Sequence, residues 1–100
     1  FDEDKKLISL FSTSTSLEPQ LLEIYNHINF FENISIYIIS DGSLKKKMIK
    51  ANKINSFGCI VIGDDELINE EVVWKNFKDG SQQNVSIKKL NDFLKKYNYV

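Results

Sequence analysis

The chain has 100 residues, 42% of them hydrophobic, and a formal net charge of -1, which suits one domain over 1–100 with a single core and leaves no room for a second. No apolar run approaches the ~20 residues that span a bilayer, and the start lacks the charged, apolar, small-residue succession of a signal peptide, so a soluble protein with no membrane partner is expected. One cysteine, Cys59, excludes an intrachain disulfide and points to a reducing compartment.

The pattern then alternates strands and helices. Lys6 to Ser12 (KLISLFS) reads as a short apolar strand, and the hydroxyl run Ser12 to Ser16 as a loop with an N-cap. From Leu17 to about Glu32, Leu17, Leu21, Ile24, Tyr25, Ile28 and Phe31 recur at helical spacing, with Pro19 tolerated in the first turn. Ile34 to Ser40 reads as a second strand, and Asp41-Gly42-Ser43 as turn and cap. A second helix runs from Leu44 to about Asn55, with Leu44, Met48, Ala51 and Asn55 on one face. Gly58 to Ile62 is a continuous β-branched run, a strand buried on both faces and ended by Gly63. Cys59 lies inside it, where a thiol packs rather than reacts. Glu71 to Phe77 is rich in β-formers, Asp79-Gly80 is a hairpin signal, and Ser81 to Ile87 is the return strand. Ile87, Leu90, Leu94 and Tyr97 mark a closing helix.

The resulting order, β-α-β-α-β-β-β-α, predicts a three-layer α/β fold with a mixed five-stranded sheet and three flanking helices. Its first three strands are parallel, with right-handed crossovers, and the hairpin is antiparallel at the edge. Open sheets of this kind bind ligands at the carboxyl ends of the parallel strands, where Ser12 to Ser16, Asp41 to Ser43 and Gly63 to Glu66 fall. The groups assigned to that end are carboxylates (Asp41, Asp64, Asp65, Glu66), amines (Lys45, Lys46, Lys75) and amides (Asn69, Asn76, Gln82), with no histidine or cysteine placed as a nucleophile. Groups of this type read the Watson-Crick edges of unpaired bases, and a carboxylate suits guanine N1 and N2. Two readings stand for Asp64 to Glu66: base contacts, or acidic residues starting a short helix and favoured there by its dipole. Lys45 to Lys47 likewise reads either as a solvated helix face or as phosphate contacts at a helix start. Trp74 is a base-stacking surface or a core residue, with the core favoured, and His27 reads as a surface residue.

All 13 basic residues are lysine, so no guanidinium fork is present to bind phosphate or base edges bidentately. The Ile, Lys and Asn usage suits an AT-rich genome, which accounts for much of that absence. The chain begins at Phe1 and its only methionine is Met48, so a longer parent polypeptide is expected.

Two stretches carry a family resemblance. Gly63-Asp64-Asp65-Glu66, Asn69, Val72, Lys75-Asn76-Phe77, Gly80 and Gln82 follow a pattern of strand, G-[DE]-x-E and V-x-[VL]-K-[DN]-[LF]-x-x-G-x-Q; upstream, Gly42, Leu44 to Lys46 and Ala51-Asn52-Lys53 follow G-x-[FL]-K-K-x-x-x-x-A-[DN]-K in the same register. Together they resemble the C-terminal anticodon-binding domain of class II aminoacyl-tRNA synthetases, most closely the histidyl branch, over roughly residues 6–97. The resemblance implies that Glu66, Lys75, Gln82, Asp64 and Asn69 face anticodon bases and that Lys45 and Lys46 contact the tRNA backbone. It also implies that the domain is non-catalytic, holding no cofactor or metal, beside a separate catalytic domain that uses ATP and magnesium. A homodimeric parent in the cytoplasm or an organelle is implied as well. Three positions depart from the pattern: Glu70 stands where glycine is common, Trp74 where a small or aliphatic residue is, and Ser81 where glutamate is frequent. A different turn before the fourth strand is therefore expected. The alternatives are the equivalent domain of a threonyl, prolyl or glycyl synthetase, a regulatory or interaction module from a synthetase-like paralogue, and a small-molecule-binding domain using Asp41 to Ser43. The net negative charge predicts weak RNA binding by the domain alone.

Overall fold

Strand pairing changes from parallel to antiparallel within one sheet in the computed structural model, which describes residues 5–98. The elements are β1 (Lys6–Ser12), α1 (Glu18–His27), β2 (Ile34–Ile38), α2 (Leu44–Lys53), β3 (Gly58–Ile62), α3 (Asp64–Ile68), β4 (Glu71–Asn76), β5 (Gln82–Ser86) and α4 (Leu90–Asn98). Strand order is β2-β1-β3-β4-β5, parallel for β2, β1 and β3 and antiparallel from β3 to β5. The expected mixed five-stranded sheet between helical layers is therefore present. The difference is α3: the acidic residues after β3 begin a short helix, so four helices flank the sheet among the described residues.

Each central strand has two buried faces, as parallel strands covered by helices on both sides require. On one face Ile8 and Leu10 of β1, Ile60 and Ile62 of β3, and Val72 and Trp74 of β4 meet Leu21 and Ile24 of α1 and Leu90 and Leu94 of α4. On the other, Phe11, Cys59 and Val61 meet Ala51 and Met48 of α2. The second face also buries polar groups: the Ser9 and Ser56 hydroxyls share a 2.6 Å hydrogen bond, and Lys47 is 1% exposed. The expected stripe on α2 is therefore rotated. Leu44 and Asn55 are exposed, and Lys47 turns inward beside Ala51.

Trp74 settles into the core at 1% exposure, so it offers no surface for a base. Its ring packs edge-on to Phe93 at 5.5 Å and against Tyr97 at 5.3 Å. Glycine at 58 makes this possible, because a Cβ there would lie 2.5 Å from the indole. A tryptophan thus fits where a smaller residue was expected, the missing volume being supplied by its cross-strand neighbour.

Local bonds decide several element ends. α1 stops at His27 rather than near Glu32 because Ile28 is extended, and asparagines tie the following chain to the last helix. The Asn29 N–H donates to Asn91 Oδ1 at 2.7 Å, and Asn33 exchanges two bonds with Asn98 at 2.8 and 2.7 Å. β2 ends at Ile38, two residues before the expected Ser40, and α2 ends at Lys53, with Asn55 in the left-handed region and the Ser56 N–H bonded to the Ala51 carbonyl. At the hairpin Phe77 belongs to the turn. The Asn76 side chain accepts from the Lys78 N–H at 2.8 Å, and Asp79 Oδ1 accepts from the Ser81 N–H at 2.8 Å. The Ser81 side-chain bond, then its backbone bond, hold the Asp79 carboxyl below its ordinary range. Before β4, Glu70 has φ 55°, the left-handed conformation that suits glycine. The turn expected to differ has kept a glycine-type backbone under a glutamate, at a cost of roughly 1–2 kcal/mol.

Candidate nucleic-acid interface

The parallel strands β1, β2 and β3 point the same way, so the loops that follow them lie at one end of the sheet. Gly63 is the N-cap of α3, and its missing Cβ is the central fact of the site. A Cβ there would collide with Glu66 Oε1 and lie 3.5 Å from the Thr13 methyl carbon. Glu66, three residues on, therefore folds its carboxylate back over Gly63, where it is half-buried beside the β1 loop. Asp64 and Asp65 are exposed at the helix start, and Asn69 ends the helix, its Nδ2 3.4 Å from the Asp65 carbonyl. The acidic turn starts a helix, as one of its two readings had it, and it also holds one carboxylate at the sheet end.

The β2–α2 turn forms the next wall. Gly42 has φ 100°, and Ser43 caps α2 by accepting the Lys46 N–H at 3.2 Å. Lys45 and Lys46 lie exposed in the first turn, where lysine opposes the helix dipole and gains nothing from it. Their ammonium groups face solvent. Lys47, read from sequence with its two neighbours as solvated or phosphate-facing, is instead buried: its Nζ donates to the Ser12 carbonyl at 3.1 Å. The Thr13 N–H donates to Ile62, so the Ser12 carbonyl points away from β3 and past the last β1–β2 pair, Leu10 with Ile38. A buried carbonyl left unpaired where a strand ends is costly, and Lys47 fills that position. Its i, i+4 spacing to the sheet-facing Ala51 was the one signal for this; nothing in the pattern marked Thr13.

Lys75 and Gln82 do not join this group. They pair with each other across β4 and β5, and Lys75 pairs with Cys59 near the start of β3. That register is four residues below Gly63, ~13 Å along the strand. The assignment of Lys75, Asn76 and Gln82 to the carboxyl end is thus corrected, because the antiparallel hairpin carries them to the opposite end. Asn76 is buried as a turn-capping residue. Lys75 is half-buried on the α2 side of the sheet, its ammonium 5.9 Å from the Phe77 ring centroid, and Gln82 is exposed. Cys59 beneath is inert: burial pushes its pKa up to about 12 although Lys75 acts in the opposite sense.

Acceptors and donors for base edges, with exposed lysines beside them, are what this end offers. His27 lies elsewhere, exposed, its Nε2–H donating to the Ile87 carbonyl at 3.1 Å. Among the described residues no group of three or more histidine, cysteine, aspartate or glutamate side chains could hold a metal ion. The fold and these groups define a three-layer α/β domain with a polar end to its sheet.

Comparison with known proteins makes the class specific. The family described as the anticodon binding domain matches residues 7–97, and the chain belongs to that family. It is 28% identical over 108 aligned residues to a histidine–tRNA ligase of Thermodesulfovibrio yellowstonii, covering 92% of the chain and 26% of the ligase. It is 33% identical over 76 residues to histidine–tRNA ligase 1 of Bacillus cereus, covering 75% of the chain and 17% of that protein. The chain thus spans about a quarter or less of these relatives' lengths. Among solved structures, the fold is similar to apo histidyl-tRNA synthetase of S. aureus, with a TM-score of 0.74 at 21% identity over 91% of the chain and 27% of that structure. It is also similar to the RNA binding domain of threonyl-tRNA synthetase from Cryptosporidium parvum, with a TM-score of 0.76 at 14% identity over 93% of the chain and 23% of that structure.

Proposed function

We propose that this chain reads the anticodon of a tRNA for a histidine–tRNA ligase, whose aminoacylation chemistry, with its ATP and magnesium, belongs to a separate catalytic domain. The observation that carries the reading is the family match over residues 7–97, which spans nearly every element. In this reading Glu66 accepts hydrogen bonds from a base, Asp64 and Asn69 contact its neighbours, and Lys45 and Lys46 meet backbone phosphates. Lys75 and Gln82 serve a second group of nucleotides on the open side of the hairpin. Work in the cytoplasm or an organelle, and a homodimeric ligase as partner, belong to the same proposal.

An NMR titration at fixed low salt tests it, comparing a stem-loop bearing the histidine anticodon with one whose loop is scrambled. The expected result is tighter binding of the cognate loop, with shifts at Asp41 to Lys46, Gly63 to Asn69 and Lys75. Equal response to both loops would overturn base reading, and no response in the presence of a ligase catalytic domain would favour a regulatory module.

A further inference from the structure

Five consecutive hydroxyl residues, Ser12 to Ser16, follow β1, and they divide into two kinds. Ser12 Oγ donates to the Ser14 carbonyl at 2.7 Å, and the Ser14 and Ser16 hydroxyls bond each other at 2.8 Å. Those bonds close the loop on itself. Thr13 is exposed, and its hydroxyl makes no such bond among the described residues, while its methyl lies against Gly63 next to the Glu66 carboxylate. The peptide joining Ser12 to Thr13 is held on both sides: its N–H donates to Ile62 at 2.9 Å, and its carbonyl accepts from the buried Lys47 at 3.1 Å. The backbone that carries the exposed Thr13 hydroxyl is thereby held in place, with the threonine side chain beside a half-buried carboxylate.

We infer that Thr13 is a second base-reading residue, paired with Glu66 to recognise guanine, and that Lys47 is its positioning residue. The inference rests on the RNA-reading function proposed above. An ionised carboxylate only accepts, so it matches the N1–H and N2–H donors of guanine; the adjacent O6 is an acceptor and requires a donor, which the Thr13 hydroxyl supplies. Adenine presents the opposite arrangement, an N6 donor beside an N1 acceptor; the Thr13 hydroxyl can accept from N6, but the N1 lone pair is set against the carboxylate, and adenine is rejected there. Uracil offers N3–H and O4 but lacks the second donor of guanine. Pre-organisation strengthens the case, because the two long-range bonds at the Ser12–Thr13 peptide remove the need to order the loop on binding.

The test uses the intact chain and an anticodon stem-loop whose loop guanines are replaced one at a time. Inosine removes the N2 amine, and 6-thioguanosine puts a poor acceptor in place of O6. At one position 6-thioguanosine is expected to weaken wild-type binding roughly three- to tenfold, the size of one uncharged hydrogen bond, and inosine roughly ten- to a hundredfold, the size of a bond to an ionised carboxylate. Thr13→Val should abolish the 6-thioguanosine penalty and keep the inosine penalty, and Glu66→Ala should do the reverse. Lys47→Met should behave like Thr13→Val. Thr13→Val alters an exposed side chain, so it keeps the test open if Lys47→Met does not fold. An unchanged 6-thioguanosine penalty in folded Thr13→Val, with the Glu66→Ala effect present, would overturn the pairing and leave anticodon reading intact. If the wild type does not distinguish the cognate loop from a scrambled one, anticodon reading falls and the pairing falls with it.

Discussion

The two faces of the sheet are built on different principles. The face under α1 and α4 carries the larger apolar cluster, with Trp74 at its centre among Phe93, Tyr97 and the aliphatic side chains of β1 and β3, and its buried polar residues, Ser12 and Asn76, stand at strand ends. The face under α2 has a smaller apolar cluster and buries the Ser9–Ser56 hydroxyl pair and the Lys47 ammonium. Burial of apolar area is non-directional, so the first face supplies stability without fixing any atom finely. Buried polar groups must meet partners at defined distances, so the second face places backbone, and the backbone it places leads into Thr13. Stability and positioning are thus largely separated across one sheet.

Substitutions should break that separation in a definite order. Trp74→Ala empties the larger core and is expected to cost about 3–5 kcal/mol, measured by urea unfolding, with the loss falling on every reporter of the fold alike. Glu66→Ala leaves the core untouched. It should change stability by less than about 0.5 kcal/mol and weaken discrimination between cognate and altered anticodons by about 1–3 kcal/mol in paired titrations. Undiminished discrimination would remove Glu66 from the site.

Lys47→Met sharpens the contrast because two effects oppose. Orphaning the Ser12 carbonyl costs about 1–3 kcal/mol, while relieving a buried ammonium that has no carboxylate partner among the described residues returns a comparable amount. Global stability is expected to stay within about 1 kcal/mol of wild type, while amide exchange at Thr13 and its neighbours accelerates. A large loss of stability with unchanged exchange there would show that the α2 face is a stabilising core like the other. Lys45→Ala should weaken all RNA sequences alike and reduce the salt dependence by ~0.7 of a counterion, as one phosphate contact to a single strand would. A change in base preference would reassign it.

The smallest effect concerns Cys59. Its pKa is raised by burial from 9.0 to about 12, so the folded state keeps a proton that the unfolded chain releases. The associated stability is fully present below about pH 9 and is lost as pH rises toward 12. Cys59→Ala should flatten the alkaline fall of the melting temperature, and in the wild type native alkylation should be slow until unfolding. Rapid alkylation of the folded chain would mean that the α2 face opens.

Sequence periodicity by itself determined the order of the five strands and the three longer helices and the parallel core, because the twofold and 3.6-fold spacings of apolar residues are local consequences of backbone geometry. The family patterns carried the placement of Glu66, Lys45 and Lys46, since Gly63 and Gly42 mark turns legible over a few residues. Only the tertiary structure decided which strand end each group occupies. Lys75 and Gln82 are close to Glu66 in sequence, but the antiparallel hairpin returns them to the other end of the sheet. Thr13 and Lys47 were hidden for the complementary reason. Their roles rest on contacts with Gly63, Ile62 and Ser12, brought together by crossovers dozens of residues long, and no spacing rule reports a contact between residues that far apart.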